Sequence, residues 1–399
     1  MKTNRHPWWL ALAILPFSVA SARCEEQAPR MPLITAAARA GDSTTAPKGV
    51  KHGPDASPLP VPTLHTTDLY RPHDDPDDHW DLASQYALAW QGKVDLRGVV
   101  IDYPRRTNAP DICAVSQMNH ITGKAVPLVV GAPRRMPAEE VRKDATAKLA
   151  GVRAFLELIR QSPRPVVIHI VGGCQDVAYA ARLEPELFAR QCAAIYLNAG
   201  VGTPDPRKQH GLECNVGYDP ASYAAMFKLP CPVYWLPCFE VLRSSAGEKA
   251  CVAEYGSFYR FHQGEILPHL SDRVQNYFMS MYVGGQSATS LWFHQLEGPK
   301  DAAAIATESQ RDRAMWCTAG FLHAVGLTVT KAGAIVPRNS VSDPVFVFEP
   351  IRVTCSDAGV TEWTKDPQSK DRFIFRITDT QKYQSAMTSA LKSLLARLP

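Results

Sequence analysis

A chain of 399 residues, 45% of them hydrophobic, can bury a sizeable core as one large domain or two modest ones. The formal net charge of +4, with no basic stripe carrying interleaved aromatics, argues against a nucleic-acid partner. The ten cysteines are scattered and include no CxxC pair, which argues against a small disulfide scaffold and a structural zinc site.

Lys2, Arg5 and His6 precede the apolar run "WWLALAILPFSVA", and Ala20–Ser21–Ala22 supplies small residues for cleavage. This predicts a signal peptide over 1–22 and export to the periplasm or the exterior. The run is too short for an ordinary membrane span, so no span is expected after cleavage. Arg23 before Cys24 fits poorly with a lipoprotein signal. Export permits disulfides, and one or two bridges among mostly buried thiols are expected. Cys231 and Cys238 are candidates, although the strand-like "PVYWLP" between them would hold them apart.

Residues 23–62 hold Pro29, Pro32, Pro47, Pro54, Pro58, Pro60 and Pro62 among small and polar residues, which predicts a disordered linker. Residues 63–399 form the expected folded domain. Leu64–Thr67 reads as the end of a short strand, leaving Asp68 at its carboxyl tip. Leu82, Tyr86, Ala89 and Trp90 follow at helical spacing, with Gly92 as a stop. "DLRGVVID" (95–102) reads as a strand, and Leu149, Val152, Leu156 and Ile159 mark a helix over 145–161. "RPVVIHIVGG" (164–173) is an apolar strand, with helix resuming at "DVAYAARL". "AAIYLNAG" (193–200), "DPASYAAMF" (219–227) and "PVYWLP" (232–237) continue the alternation. Residues 240–330 read as mainly helical. Three strands over 345–377 and a closing helix complete the chain.

This alternation predicts an α/β fold: a mostly parallel sheet with helices on both faces. Sites in such sheets gather beyond the carboxyl ends of strands. The segments of interest are therefore Asp68 onward, Gly172–Asp176 and Asn198 onward.

The densest chemistry lies in "TTDLYRPHDDPDDHWDLA", where Asp68, Asp74, Asp75, Asp77, Asp78 and Asp81 crowd together. Like charges at such density need a cation or solvent to relieve them. Asp77 and Asp78 at a helix entrance facing Asp68 would offer oxygens to a hard cation such as Ca²⁺. Alternatively, one of them is simply a helix N-cap and the others are solvated. Spacing alone leaves both readings open.

From Leu64 to the C-terminus the chain resembles the inosine–uridine-preferring nucleoside hydrolase family. That family opens with a strand, an aspartate, and an Asp-Asp pair starting a helix, matched here by Asp68, Asp77 and Asp78. "GGCQDVAYAARLEPEL" (172–187) resembles its Gly-Pro-Leu-Thr-Asn-Leu-Ala segment. "LECNVGYDPASYAAMF" (212–227) resembles its Glu-Phe-Asn segment, followed by Asp-Pro and a helix. The resemblance implies a nucleoside hydrolase-like fold, possible homo-oligomers, and calcium-dependent hydrolysis of an N-glycosidic bond in a nucleoside or related riboside. Asp68 would bind the metal and accept a proton from the attacking water. Asp78 would be a second ligand, and Gln175 a third through its backbone carbonyl. Asp77, Glu213 and Asn215 would hold the sugar. The chemistry is coherent, since a cation acidifies water and carboxylates stabilise an oxocarbenium-like sugar.

Three departures stand out. Eight residues, "LYRPHDDP", separate Asp68 from Asp77 where the family's turn is shorter. Cys317 stands where the family has a late aspartate ligand, with Trp316 where a base-protonating histidine often lies. The family's sugar-binding asparagine has no clear match, Arg207 lying near its place. A neutral thiol is a poor calcium ligand. His294 and His323 are substitute acids to consider, and Asp74 or Asp75 a substitute ligand. The alternative function is a catalytically impaired nucleoside- or sugar-binding member of the same fold.

Overall fold

β-Branched and aromatic runs build the strands, and each is followed by a segment of helical period. In chain order these are β1 (Val61–Thr67), α1 (Asp77–Trp90), β2 (Val94–Ile101), α2 (Ile112–Thr122), β3 (Leu128–Val130), α3 (Ala150–Arg160), β4 (Val166–Ile170), α4 (Gln175–Leu183) and β5 (Cys192–Asn198). There follow α5 (Cys214–Tyr218), α6 (Pro220–Met226), β6 (Val233–Leu236), α7 (Thr318–Ala324), β7 (Phe346–Cys355), β8 (Thr361–Lys365), β9 (Arg372–Ile377) and α8 (Thr380–Leu395). The computed structural model describes residues 59–71, 76–102, 109–133, 135–136, 140–141, 149–242, 251–281 and 292–399. All of them fall in one compact unit, His52–Pro399. The expected signal peptide, most of the proline-rich segment, and Asp74 and Asp75 lie outside the described residues.

The nine strands run β8-β7-β9-β6-β5-β4-β1-β2-β3 across one sheet. They are parallel except at one edge, where β7 runs antiparallel to both β8 and β9. Helices cover both faces, as the sequence predicts. On one face Val99, Ile101 and Tyr234 pack with Trp80, Met118 and Leu391. On the other, Leu64, Ile168 and Trp235 pack with Phe155, Tyr179 and Tyr223. The expected stripe Leu149, Val152, Leu156 and Ile159 is fully inside. Each such side chain stabilises the fold by roughly 1.5–3 kcal/mol.

The strand order sets the location of the site. The chain moves outward from β1 through β2 to β3, then returns to β4 on the other side of β1. That reversal opens a crevice beyond the carboxyl ends of β1 and β4, the place where open α/β sheets receive ligands.

Between 240 and 330 the described residues are mainly helical, as expected, with helices at Asp272–Ser280, Trp292–Glu297, Ala302–Ser309 and Thr318–Ala324, but short antiparallel pairs are added to them. Tyr259–His262 pairs antiparallel with Asp312–Met315, and Leu327–Val329 pairs with Ile335–Pro337. Strands of three or four residues are too short to display a period. All nine cysteines among the described residues are free thiols, Cys231 and Cys238 included.

A row of rings crosses the sheet in register: His65, His169, Tyr196, Tyr234 and Phe373. Tyr196 stacks on Tyr234 at 4.8 Å, and Tyr234 on Phe373 at 4.7 Å. His65 is wholly buried and neither ring nitrogen has a hydrogen-bond partner. Burial lowers its pKa from 6.5 to about 3. Below pH 6.5 the unfolded chain therefore takes up a proton that the folded chain refuses, and stability falls as pH drops toward 3. The raised pKa of Asp176 acts in the opposite direction over the same range, so a difference measurement is needed. Relative to wild type, His65→Leu is expected to gain about 1.4 kcal/mol on going from pH 7.5 to 5.5, measured by urea unfolding. A pH-independent difference would contradict a neutral buried His65.

Candidate functional site

Thr67 closes β1 and Asp68 follows it at the crevice. The backbone of Asp102, just after β2, donates to Thr67 O at 2.9 Å, and Val171, just after β4, donates to Thr66 O at 3.0 Å. Three strand ends are thereby tied at one point. Gly172 occupies the centre: a Cβ there would lie 2.3 Å from Asp102 Oδ2 and 2.6 Å from Asp68 N. Only a residue without a side chain lets the β4 turn pass so close to both aspartates.

The helix entrance supplies the next carboxylates. Pro76 is the N-cap of α1 and gives no side-chain cap, so neither Asp77 nor Asp78 is the capping residue. Asp78 instead turns inward, is 6% exposed, and accepts a hydrogen bond from the Thr67 hydroxyl. Asp68 and Asp77 are half-buried. Burial, then the neighbouring Asp68 and Asp77, hold the Asp78 carboxyl well above the usual carboxylate range, against the Thr67 hydrogen bond. Asp102 is raised likewise by burial and by Asp68 and Asp176, opposed by hydrogen bonds from Tyr70 and Gly173. The tyrosines reach these groups directly. Tyr70 donates to Asp102 Oδ1 at 2.7 Å, and Tyr218 donates to Asp68 Oδ2 at 2.9 Å.

The α4 entrance faces the same crevice. Gln175 is wholly buried, and its side-chain amide has no hydrogen-bond partner and lies over Gly173. As the first residue of α4 it directs its carbonyl into the helix ladder, so the expected backbone contribution competes with that bond. Asp176 accepts Ala132 N at 2.7 Å, and burial raises its pKa to about 7.

Glu213 and Asn215 lock α5 in place. The Glu213 carboxylate caps the helix, accepting from Asn215 N and Gly200 N at 2.9 Å. Asn215 donates its amide to Val171 O at 3.0 Å and Asn198 O at 3.2 Å. Both side chains are thus engaged with backbone at the ends of β4 and β5. Arg207 is exposed and pairs with Asp205 at 2.8 Å.

Cys317 precedes α7 and is 3% exposed; its thiol donates to Asn198 Oδ1 at 3.0 Å. Cys238 approaches the same oxygen at 3.9 Å. The Asn198 amide donates to Leu236 O and Ser257 Oγ, each at 3.0 Å, which turns its oxygen toward the thiols. Burial first, then the Asp81 carboxylate, push the Cys317 thiol well up, so it is a neutral donor. Asp81 is 1% exposed and belongs to this buried group rather than to solvent. Trp316 packs against Phe239 and Phe258.

Neither candidate histidine joins the aspartates. His294 is exposed. His323 lies at the far end of α7, where Arg338 donates to Nε2 at 2.7 Å and Tyr196 Oη stands 2.8 Å from Nδ1. Burial and Arg338 hold its pKa well below 6.5. With Nε2 accepting, the neutral ring carries its proton on Nδ1.

Among the described residues, no three His, Cys, Asp or Glu side chains are drawn together to hold a metal ion. The donor type nonetheless suits a hard cation: Asp68 and Asp78 offer oxygens only, and their charge is answered by hydroxyl hydrogen bonds. Cys317 adds no oxygen to that set.

No protein-family model matches the chain, and no curated protein matches it. Solved structures are similar to it at low identity. The inosine-uridine preferring nucleoside hydrolase of Bacillus anthracis is 12% identical with a TM-score of 0.41, covering 83% of this chain and 99% of that one. An inosine-guanosine nucleoside hydrolase is 12% identical with a TM-score of 0.48, covering 84% and 99%. The type III effector protein XopQ, solved with adenosine diphosphate ribose, is 15% identical with a TM-score of 0.46, covering 86% and 96%. No helix among the described residues is long and apolar enough to cross a membrane.

Asp102, Tyr70 and Tyr218 are not among the candidate residues of the sequence, and Asn198 enters there only as the start of a segment beyond a strand end. The signal for Asp102 and Asn198 was their place at strand ends; for the tyrosines the sequence carries no signal.

Proposed function

We propose that the protein is an exported hydrolase that cleaves the N-glycosidic bond of a nucleoside or related N-riboside. The observation that carries this reading is the meeting of Asp68 and Asp78 at the β1–β4 crevice, across from Tyr218 of α5. Asp68, accessible from the crevice, accepts the proton of the attacking water. Asp77 would face the sugar hydroxyls, while Glu213 and Asn215, whose side chains are engaged with backbone, hold α5 against the strand ends. Asp68 and Asp78, with Gln175 nearby, would hold Ca²⁺, which supplies positive charge that acidifies water. Asp68, the half-buried carboxylate of the group, provides negative charge that an oxocarbenium-like sugar needs.

Neither candidate acid serves the departing base: His294 is exposed, His323 is held by Arg338 and Tyr196, and His79, which follows Asp78, is turned to Asp111. Substrates whose leaving group departs as an anion should then be favoured. In the presence of CaCl₂, a nitrophenyl riboside is expected to turn over at least about 100-fold faster than inosine, the scale of one general-acid contribution. Equal rates would mean that an acid is present after all.

A second reading, a silent member that binds a nucleoside or sugar without cleaving it, is favoured by Cys317. Its thiol is committed to Asn198 and supplies no ligand oxygen. Saturable nucleoside binding with no turnover of either substrate would select it.

A further inference from the structure

Tyr218 stands out because α5 gives it almost no freedom. Glu213 caps the helix through the backbone N–H groups of Asn215 and Val216 and also accepts from Gly200 N, and Asn215 bonds two strand-end carbonyls. The helix is therefore fixed to the carboxyl ends of β4 and β5, and its last residue delivers a hydroxyl to Asp68 Oδ2 at 2.9 Å. Tyr218 is half-buried, at the open side of the crevice. The same pattern repeats beside it, where Thr67 holds Asp78 and Tyr70 holds Asp102. Of the three hydroxyls, Thr67 belongs to the strand and Tyr70 bonds a carboxylate that is wholly buried. Tyr218 bonds the half-buried Asp68, which a ligand entering from solvent would meet.

We propose that Tyr218 is a latch on Asp68: its hydroxyl occupies the carboxylate oxygen that a divalent cation needs, and must leave before the cation is bound. The proposal rests on the cation reading given above. A hydrogen bond to an ionised carboxylate is among the stronger ones, so breaking it subtracts directly from cation affinity. The latch sets the calcium concentration at which the site fills, and it keeps Asp68 in a bonded state at lower concentrations.

The sign of the effect separates this role from a structural one. Removing a residue that merely supports the site weakens binding; removing a latch strengthens it. Isothermal titration of CaCl₂ into the full chain is expected to show Tyr218→Phe binding about tenfold more tightly than wild type. Tyr218→Leu, which also lacks the hydroxyl, should gain similarly, so a packing defect in one variant does not decide the outcome. Addition of CaCl₂ should also change the near-ultraviolet tyrosine absorbance of wild type, and the change should be smaller in Tyr218→Phe. Equal or weaker binding by both variants overturns the latch while leaving the cation site standing. No binding by any of the three proteins removes the cation site, and the latch with it.

Discussion

Asp68→Asn is expected to lower turnover by about 10²- to 10⁴-fold, the loss that follows when a positioned general base is removed. The amide has nearly the same shape, and the Tyr218 hydroxyl can still donate to its oxygen, so the folded protein should persist. What disappears is the capacity to accept a proton and one negative charge facing the crevice. Losing that charge also relieves Asp78 and Asp102, both raised in part by Asp68. The variant should therefore be no less stable than wild type in urea while being far less active. A turnover within threefold of wild type would remove Asp68 from the chemistry.

The second large effect concerns stability. Asp111 is 1% exposed and accepts from Arg71 Nε at 3.2 Å and from His79 Nε2 at 3.1 Å. Its other oxygen caps α2 through Ala114 N at 3.3 Å. Arg71 is itself 6% exposed and ends the short strand leaving the Asp68 turn, while His79 follows Asp78 on α1. One carboxylate thus ties the segment after β1, the start of α1 and the start of α2 together. Asp111→Ala leaves a guanidinium in the interior without this counter-charge, a change that costs about 3–5 kcal/mol. Loss of the helix cap adds about 1 kcal/mol. Urea unfolding should show a deficit of several kcal/mol, with activity falling because Asp78 is no longer held in place. A deficit below 1 kcal/mol would mean that Arg71 and His79 have adequate partners elsewhere.

The frame was legible because its signals are strong and local. Apolar runs such as "RPVVIHIVGG" have no polar break, and the stripe from Leu149 to Ile159 repeats at helical spacing, so strands and helices on both faces could be placed. The rule that sites lie beyond strand ends pointed to Asp68 and to Gly172–Asp176, and the fold gathers them at its switch point. What was hidden depends on contacts distant in sequence. Tyr218 reaches Asp68 across 150 positions, and Cys317 reaches Asn198 across 119. No spacing rule encodes either pair. The N-cap alternative for Asp77 and Asp78 looked sound because acidic residues favour helix starts, yet the Thr67 hydroxyl draws Asp78 away from that role. His323 looked usable as an acid because sequence alone does not show Arg338 against its ring.

The most direct test of the central claim is release of free base from a panel of purine and pyrimidine nucleosides by the full chain, measured with CaCl₂ and with a chelator. Base release with calcium, suppressed by the chelator and absent in Asp68→Asn, is the expected result. Saturable nucleoside binding with no base released from any member of the panel would contradict it.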